Sequence, residues 1–143
     1  DHMKKCIVID LVLTIFGLPT SSFADSRQLV EFSEMRRDHM RDHLLALTEI
    51  QQYLALEEYE KAAAVAENRL GMSSLSGHGA SHMVRFMPTA LQQIGTQMHK
   101  AASRFATIVR EGGLEESTPK IAEGLAGVMQ QCVACHSSYR VHP

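Results

Sequence analysis

The sequence predicts an all-α domain arranged as an antiparallel four-helix bundle. Apolar residues recur at helical spacing in four separate stretches, and no run of alternating apolar and polar residues competes with them. The links within the first pair and within the second pair of stretches are short, which favours antiparallel neighbours. With 143 residues, 45% of them hydrophobic and 21% charged, the chain has the size and balance of one globular domain.

The first two helices are expected in the N-terminal half of the chain. The first spans about residues 26–56, and its apolar positions are Phe32, Met40, Leu44, Leu47, Ile50 and Leu54. The second, 57–70, is rich in Ala, Glu and Lys, and Gly71 follows it as a C-terminal cap. Ser and Gly enrichment between Gly71 and Pro88 predicts a long connection with a helical turn inside it.

The last two helices carry the remaining apolar stripes. Pro88 suits the first turn of the third helix, which we expect to run to about Glu111 and to stop at Gly112 and Gly113. Its predicted core positions are Leu91, Ile94, Met98, Ala101, Ala102, Phe105 and Ile108. The fourth begins near Ser117 or Thr118, ahead of Pro119. Its apolar face comprises Ile121, Leu125, Val128, Cys132 and Tyr139.

The N-terminal region has the three-part pattern of a signal peptide. Residues 1–2 precede Met3 and are interpreted as a cloning remnant, and 3–24 as the leader, with two lysines, an apolar run and small residues before the cleavage point. The apolar run is shorter than the roughly 20 residues of a spanning helix. Asp10 also interrupts it. The expected mature domain, 25–143, would be exported to the periplasm and would not be held in the membrane once the leader is removed.

A C-x-x-C-H motif lies close to the C-terminus. It consists of Cys132, Cys135 and His136, which at spacings i, i+3 and i+4 share one face of a helix. In this pattern the two thiols attach a haem through its vinyl groups and the imidazole reaches the iron. The alternatives are a disulfide, a redox pair or a zinc site, but a thioredoxin-like pair expects a βαβ context that the sequence does not predict. We therefore predict one covalent haem c.

The motif and its position are similar to those of the class II cytochromes c, that is, cytochrome c′ and its low-spin relatives. The resemblance rests on the run from Cys132 through His136 to Tyr139 and Arg140, and on the Ala-rich second helix. It implies a left-handed four-helix bundle with the haem near one end, often as a homodimer. It also implies that Arg140 lies near the proximal side of the iron, Arg36 near the haem propionates and Met40 at the distal position. For Arg140 the alternative is a solvated cation at a helix end.

The identity of the sixth iron ligand stays open at this point. The first helix offers two thioethers and two imidazoles on or near one stripe, namely Met40, Met35, His39 and His43. A thioether would raise the reduction potential, whereas a second imidazole would lower it. An empty sixth position would admit small ligands. Electron transfer through the haem is the first functional hypothesis, and binding of nitric oxide or carbon monoxide at a five-coordinate iron is the second.

A third hypothesis is a carrier of metal ions. His78 and His82, like Met83 and Met87, are four residues apart and could form a copper, nickel or zinc patch on a helical turn. His99, beside an apolar methionine, is interpreted as structural or exposed.

Charge and motif content limit the remaining functional classes. The formal net charge of −2 gives no basis for nucleic acid as a partner. No constellation of acid, base and nucleophile predicts an enzyme. The expected partner is a redox protein of the periplasm.

Overall fold

The computed structural model describes residues 27–30, 34–77, 84–114 and 118–141. This part of the chain is predominantly helical, and its two strands are only three residues long, so the all-α fold class is confirmed. It contains four α-helices, which are α1 (Glu34–Ala55), α2 (Tyr59–Val65), α3 (Thr89–Leu114) and α4 (Thr118–Ser138). None of the described helices is long and apolar enough to cross a membrane.

The α-helix α2 is shorter than the predicted second helix, 57–70, because it passes into a π-helical turn, Ala66–Leu70. Gly71 follows this turn as predicted, and its N–H donates to the carbonyl oxygens of Ala66 and Glu67 at 2.8 and 3.0 Å. Its backbone is not left-handed (φ −76°). The glycine is needed for space, because a Cβ there would lie 2.6 Å from Oε2 of Glu67.

The long predicted connection between the second and third helices contains two short 3-10 helices. They are Met72–Ser76 and Val84–Phe86. Ser74 is buried, and its hydroxyl donates to the carbonyl of Gly71 at 2.7 Å. The first part of the connection, residues 72–76, therefore packs back on the turn that precedes it.

Two short parallel strands were not predicted. β1 (Gln28–Val30) pairs with β2 (Tyr139–Val141), with Leu29 opposite Arg140. The prediction that a helix begins near residue 26 is therefore wrong, and so is the placement of Tyr139 on the apolar face of the last helix. Three residues are too few for an alternating pattern to stand out in a sequence, and only a distant partner stabilises such a strand.

The third helix runs past its predicted end. α3 continues through Gly112 and Gly113 to Leu114, so the prediction that these glycines stop it is wrong. The side chain of Val109, fully buried three residues earlier, packs this end of α3 against the core. Tertiary packing of this kind outweighs the unfavourable helix propensity of glycine, which amounts to about 1 kcal/mol per residue.

The core lies where α1, α2, the π turn, α3 and α4 meet. Its largest fully buried side chains are Phe105, Ile50, Leu70, Val109 and Val128. A Cβ on Gly124 of α4 would lie 3.1 Å from the ring of Phe105 on α3. Cys132, further along α4, shares a cavity with Leu91, which is earlier on α3. The two helices therefore run in opposite directions.

Candidate functional site

A cavity of about 410 Å³ lies beside the core. Its wall is formed by α1, the first half of α3, the last turns of α4 and both 3-10 helices, and it is predominantly apolar. This volume is within the range of about 300–1,000 Å³ that is typical of pockets for small molecules and cofactors.

The C-x-x-C-H motif forms the α4 side of this cavity. Cys132, Cys135 and His136 all line it, as their spacing on one helix face predicts. The two cysteines are not joined by a disulfide. Burial raises the pKa of the Cys132 thiol, whose Sγ lies 3.7 Å from the carbonyl oxygen of Val128. The motif is thus gathered on one wall, with Cys132 partly removed from solvent.

The α1 side of the cavity carries three of the four predicted candidates for the sixth ligand. Met40, His39 and His43 line the cavity, together with apolar leucines. Met40 is 38% exposed. Met35 and Arg36 lie in the first turn of α1, but their side chains fall outside the described residues. The structure therefore brings Met40 to the cavity that contains His136, and it leaves the predicted roles of Met35 and Arg36 as predictions.

Arg140 does not line the cavity. It is exposed in β2, and its Nε donates to the carbonyl oxygen of Arg27 at 3.4 Å. Arg27 in turn donates from Nη1 to the carbonyl oxygen of His136, also at 3.4 Å. Arg140 is therefore a strand residue beside the end of α4, and its predicted place near the iron stays a prediction.

His99 also lines the cavity, and the sequence analysis did not select it. Its Nδ1 lies 2.8 Å from the carbonyl oxygen of Leu70 and 3.4 Å from Oγ of Ser74. The ring packs edge to face with that of His43, with 6.2 Å between the ring centroids. Helical spacing could have predicted this position, because His99 follows Leu91 by eight residues, about two turns of α3.

The carbonyl that contacts His99 belongs to a turn that is tied to α1. Arg69 donates from Nη1 to Oε2 of Glu49 at 2.7 Å, and from Nη2 to the carboxylate of Asp42. The hydrogen bond to Asp42 is the main cause that raises the pKa of Arg69. The π turn, and with it Leu70, is thereby attached to the helix that forms the opposite wall.

The predicted metal patch is only partly described. His78, His82 and Met83 lie outside the described residues, whereas Met87 is half-buried and lines the cavity. Among the residues that are described, no group of three or more His, Cys, Asp or Glu side chains is placed to hold a metal ion.

No protein-family model, curated protein or solved structure matched the chain. The resemblance to the class II cytochromes c therefore rests on residues of the sequence, above all Cys132, Cys135 and His136. The function of the cavity has to follow from its own chemistry.

Proposed function

We propose that the protein is an exported monohaem c-type cytochrome that transfers electrons in the periplasm, similar to the low-spin class II cytochromes c. The observation that carries the proposal is the shared cavity. Cys132, Cys135 and His136 on α4 line the same space as side chains with donor atoms on other helices, among them Met40 on α1 and His99 on α3. Two thiols, one imidazole and one further donor from another helix are the groups that a six-coordinate c-type haem requires.

The residues present fit this cofactor. Cys132 and Cys135 would hold the haem through thioether bonds, and His136 would bind the iron from the same face. Proteins hold a haem iron with one or two side chains, so the site would need no cluster of three protein ligands. When bound, the haem supplies one-electron redox chemistry. The wall around it is largely apolar, with Leu91 and Met98 buried, which suits the ring of a porphyrin.

The task of the protein chain in this function is to exclude water and to fix the axial donors. Leu91 and Met98 on α3 are buried and line the cavity, and the partly buried Leu47 on α1 lines it and packs against the core. In this function α1 to α4 would form an antiparallel four-helix bundle with the haem attached to α4 near one end.

The proposed export of the protein, and the compartment of its redox partner, rest on the leader predicted at residues 3–24. c-Type haem is attached outside the cytoplasm in bacteria, so the signal peptide and the C-x-x-C-H motif support one another. The electron donor or acceptor would be another redox protein of that compartment.

The test is to produce the full chain, leader included, in a bacterium that attaches c-type haem. We expect export, a mass increased by one haem and a low-spin ferric spectrum. We also expect carbon monoxide to leave the spectrum of the reduced, ferrous protein unchanged. The double variant Cys132→Ser/Cys135→Ser keeps size and polarity close to the native thiols, and we expect it to carry no covalent haem.

Two results would contradict the proposal. A purified mature protein without haem mass would exclude the c-type site. A haem-loaded protein that is high-spin and binds carbon monoxide would instead support the cytochrome c′-like gas-binding hypothesis.

A further inference from the structure

We propose that His99 on α3, which is not among the ligands predicted from the sequence, supplies the sixth iron ligand in place of the predicted Met40. This inference rests on the proposed haem function. It concerns a different side chain of the same cavity, and it follows from the way in which the ring of His99 is held.

The tautomer of His99 is fixed by its neighbours. Its Nδ1 lies 2.8 Å from the carbonyl oxygen of Leu70. A carbonyl oxygen only accepts hydrogen bonds, so Nδ1 is the donor and the neutral ring carries its proton there. The hydroxyl of Ser74 donates to the carbonyl of Gly71, so its oxygen, 3.4 Å from Nδ1, can accept from the same N–H. The neutral ring therefore keeps the lone pair on Nε2, the nitrogen that would bind a metal.

This hydrogen bond has a known chemical role in metal sites. Histidines that bind metals almost always donate their other ring N–H to a carboxylate or a backbone carbonyl, which fixes the ring and makes the ligating nitrogen more basic. His99 has this arrangement, and its ring lines the cavity that contains His136.

The carbonyl that holds His99 is itself held in place. Leu70 is 2% exposed and ends the π turn, and the adjacent Arg69 ties this turn to Asp42 and Glu49 of α1. The imidazole of His43 packs edge to face against His99 and supports the ring from the α1 side. A donor held by several independent contacts loses little conformational entropy when it binds, which favours binding.

Met40 is placed less favourably as a ligand. Met40 is 38% exposed, whereas His99 is half-buried. A methionine has three rotatable side-chain bonds before its methyl group, so binding through sulfur would require ordering a flexible chain. In the proposed arrangement, Met40 packs as a soft apolar residue at the edge of the cavity.

The deciding variant is His99→Asn in the exported, haem-loaded protein. The amide nitrogen of asparagine can donate to the carbonyl of Leu70 much as Nδ1 does, but asparagine has no counterpart of Nε2. We expect the covalent haem to be retained, the ferric spectrum to change from low-spin to high-spin, and the ferrous protein to bind carbon monoxide. Added imidazole should restore the low-spin spectrum.

The neighbouring donors are tested by the same measurement. We expect Met40→Leu and His43→Asn each to remain low-spin. A low-spin His99→Asn protein, or loss of the low-spin state in Met40→Leu, would overturn the assignment of His99. So would a wild-type protein that is high-spin.

A second measurement needs no substitution. The near-infrared charge-transfer band of the ferric wild-type protein differs between bis-histidine and histidine–methionine ligation, and we expect the bis-histidine form. A histidine–methionine band would exclude His99 even if the variants failed to fold. Failure of the haem proposal itself has a separate signature, because the wild-type protein would then lack the haem mass.

Discussion

The two halves of α3 are packed in different ways. Its second half lies in the core, where Ala102 and Ala106 have no exposed surface and Phe105 is 1% exposed. Its first half lines the cavity, whose opposite wall on α1 includes Leu44, which is 67% exposed. One helix thus joins a closed region to an open one.

The difference follows from side-chain size. Alanines on α3 face a neighbouring element that is also rich in alanine, with Ala62, Ala63 and Ala66 fully buried. Small side chains let two helices approach closely, and a few large residues such as Phe105 fill the remaining space. In the open region, large and flexible side chains line a space that they do not fill.

The largest expected effect tests the closed region. Phe105→Ala should lower the free energy of unfolding by about 3–5 kcal/mol, because it removes a fully buried ring and leaves a void. Leu44→Ala on the open side should change it by about 0.5 kcal/mol or less, because the side chain is already in contact with solvent. Denaturant titrations followed by circular dichroism measure both values.

The expected difference in stability between Phe105→Ala and Leu44→Ala depends on Leu44 behaving as a surface residue in the haem-free protein. Equal losses of stability in the two variants would show that the cavity region packs as tightly as the core, and the distinction between the two halves of α3 would then fail.

Much of the helical framework could be predicted from the sequence, because apolar stripes with a period of 3.6 residues report directly on helices that bury one face. Phe105, Ala101 and Ala102 are buried as predicted. The residues of the C-x-x-C-H motif share one cavity wall, since their spacing is local to a single helix.

Features that depend on distant parts of the chain could not be predicted in the same way. The strand at Tyr139 forms because residues 28–30 lie beside it. His99 is recognised as a candidate ligand only through the carbonyl of Leu70, which lies 29 residues earlier in the chain. The sequence around a single histidine in a helical stretch does not show such a contact. The residues next to His99 therefore indicated a structural or exposed residue.

A smaller effect is expected from glycines in the two regions. A Cβ on Gly95, which lines the cavity, would meet nothing within 4 Å, whereas one on Gly124 would lie 3.1 Å from Phe105. Gly95→Ala should therefore stabilise the haem-free protein by about 0.5–1 kcal/mol through helix propensity. In Gly124→Ala this gain should be offset by crowding against the core.

Gly127 provides the matched control for Gly124, because it lies three residues further along α4 and a Cβ there would also meet nothing within 4 Å. Thermal unfolding should rank Gly95→Ala and Gly127→Ala above the wild-type protein and Gly124→Ala below both. If Gly124→Ala were as stable as Gly127→Ala, a Cβ at residue 124 would fit beside Phe105 without cost. The core would then be less tightly packed than we infer.

The smallest effect concerns Glu67, in the π turn between α2 and the connection. Burial opposes ionisation of this carboxyl, but hydrogen bonds from Ser103 and Ser73 outweigh it, so the pKa of Glu67 lies below its ordinary value of 4.5. A carboxyl whose pKa is lower in the folded than in the unfolded state stabilises the fold above the unfolded value. This contribution is lost as the pH falls through the folded pKa.

The wild-type protein should therefore lose a small stability advantage over Glu67→Gln as the pH is lowered from about 7 to below 4.5. We expect about 0.5 kcal/mol or less, because the carboxyl is partly exposed and solvent weakens its interactions. Glutamine keeps the shape and one acceptor oxygen, so the comparison isolates the charge. Melting temperatures of the two proteins across this range measure the difference, and parallel curves would show that the hydrogen bonds to Glu67 do not favour its ionised form.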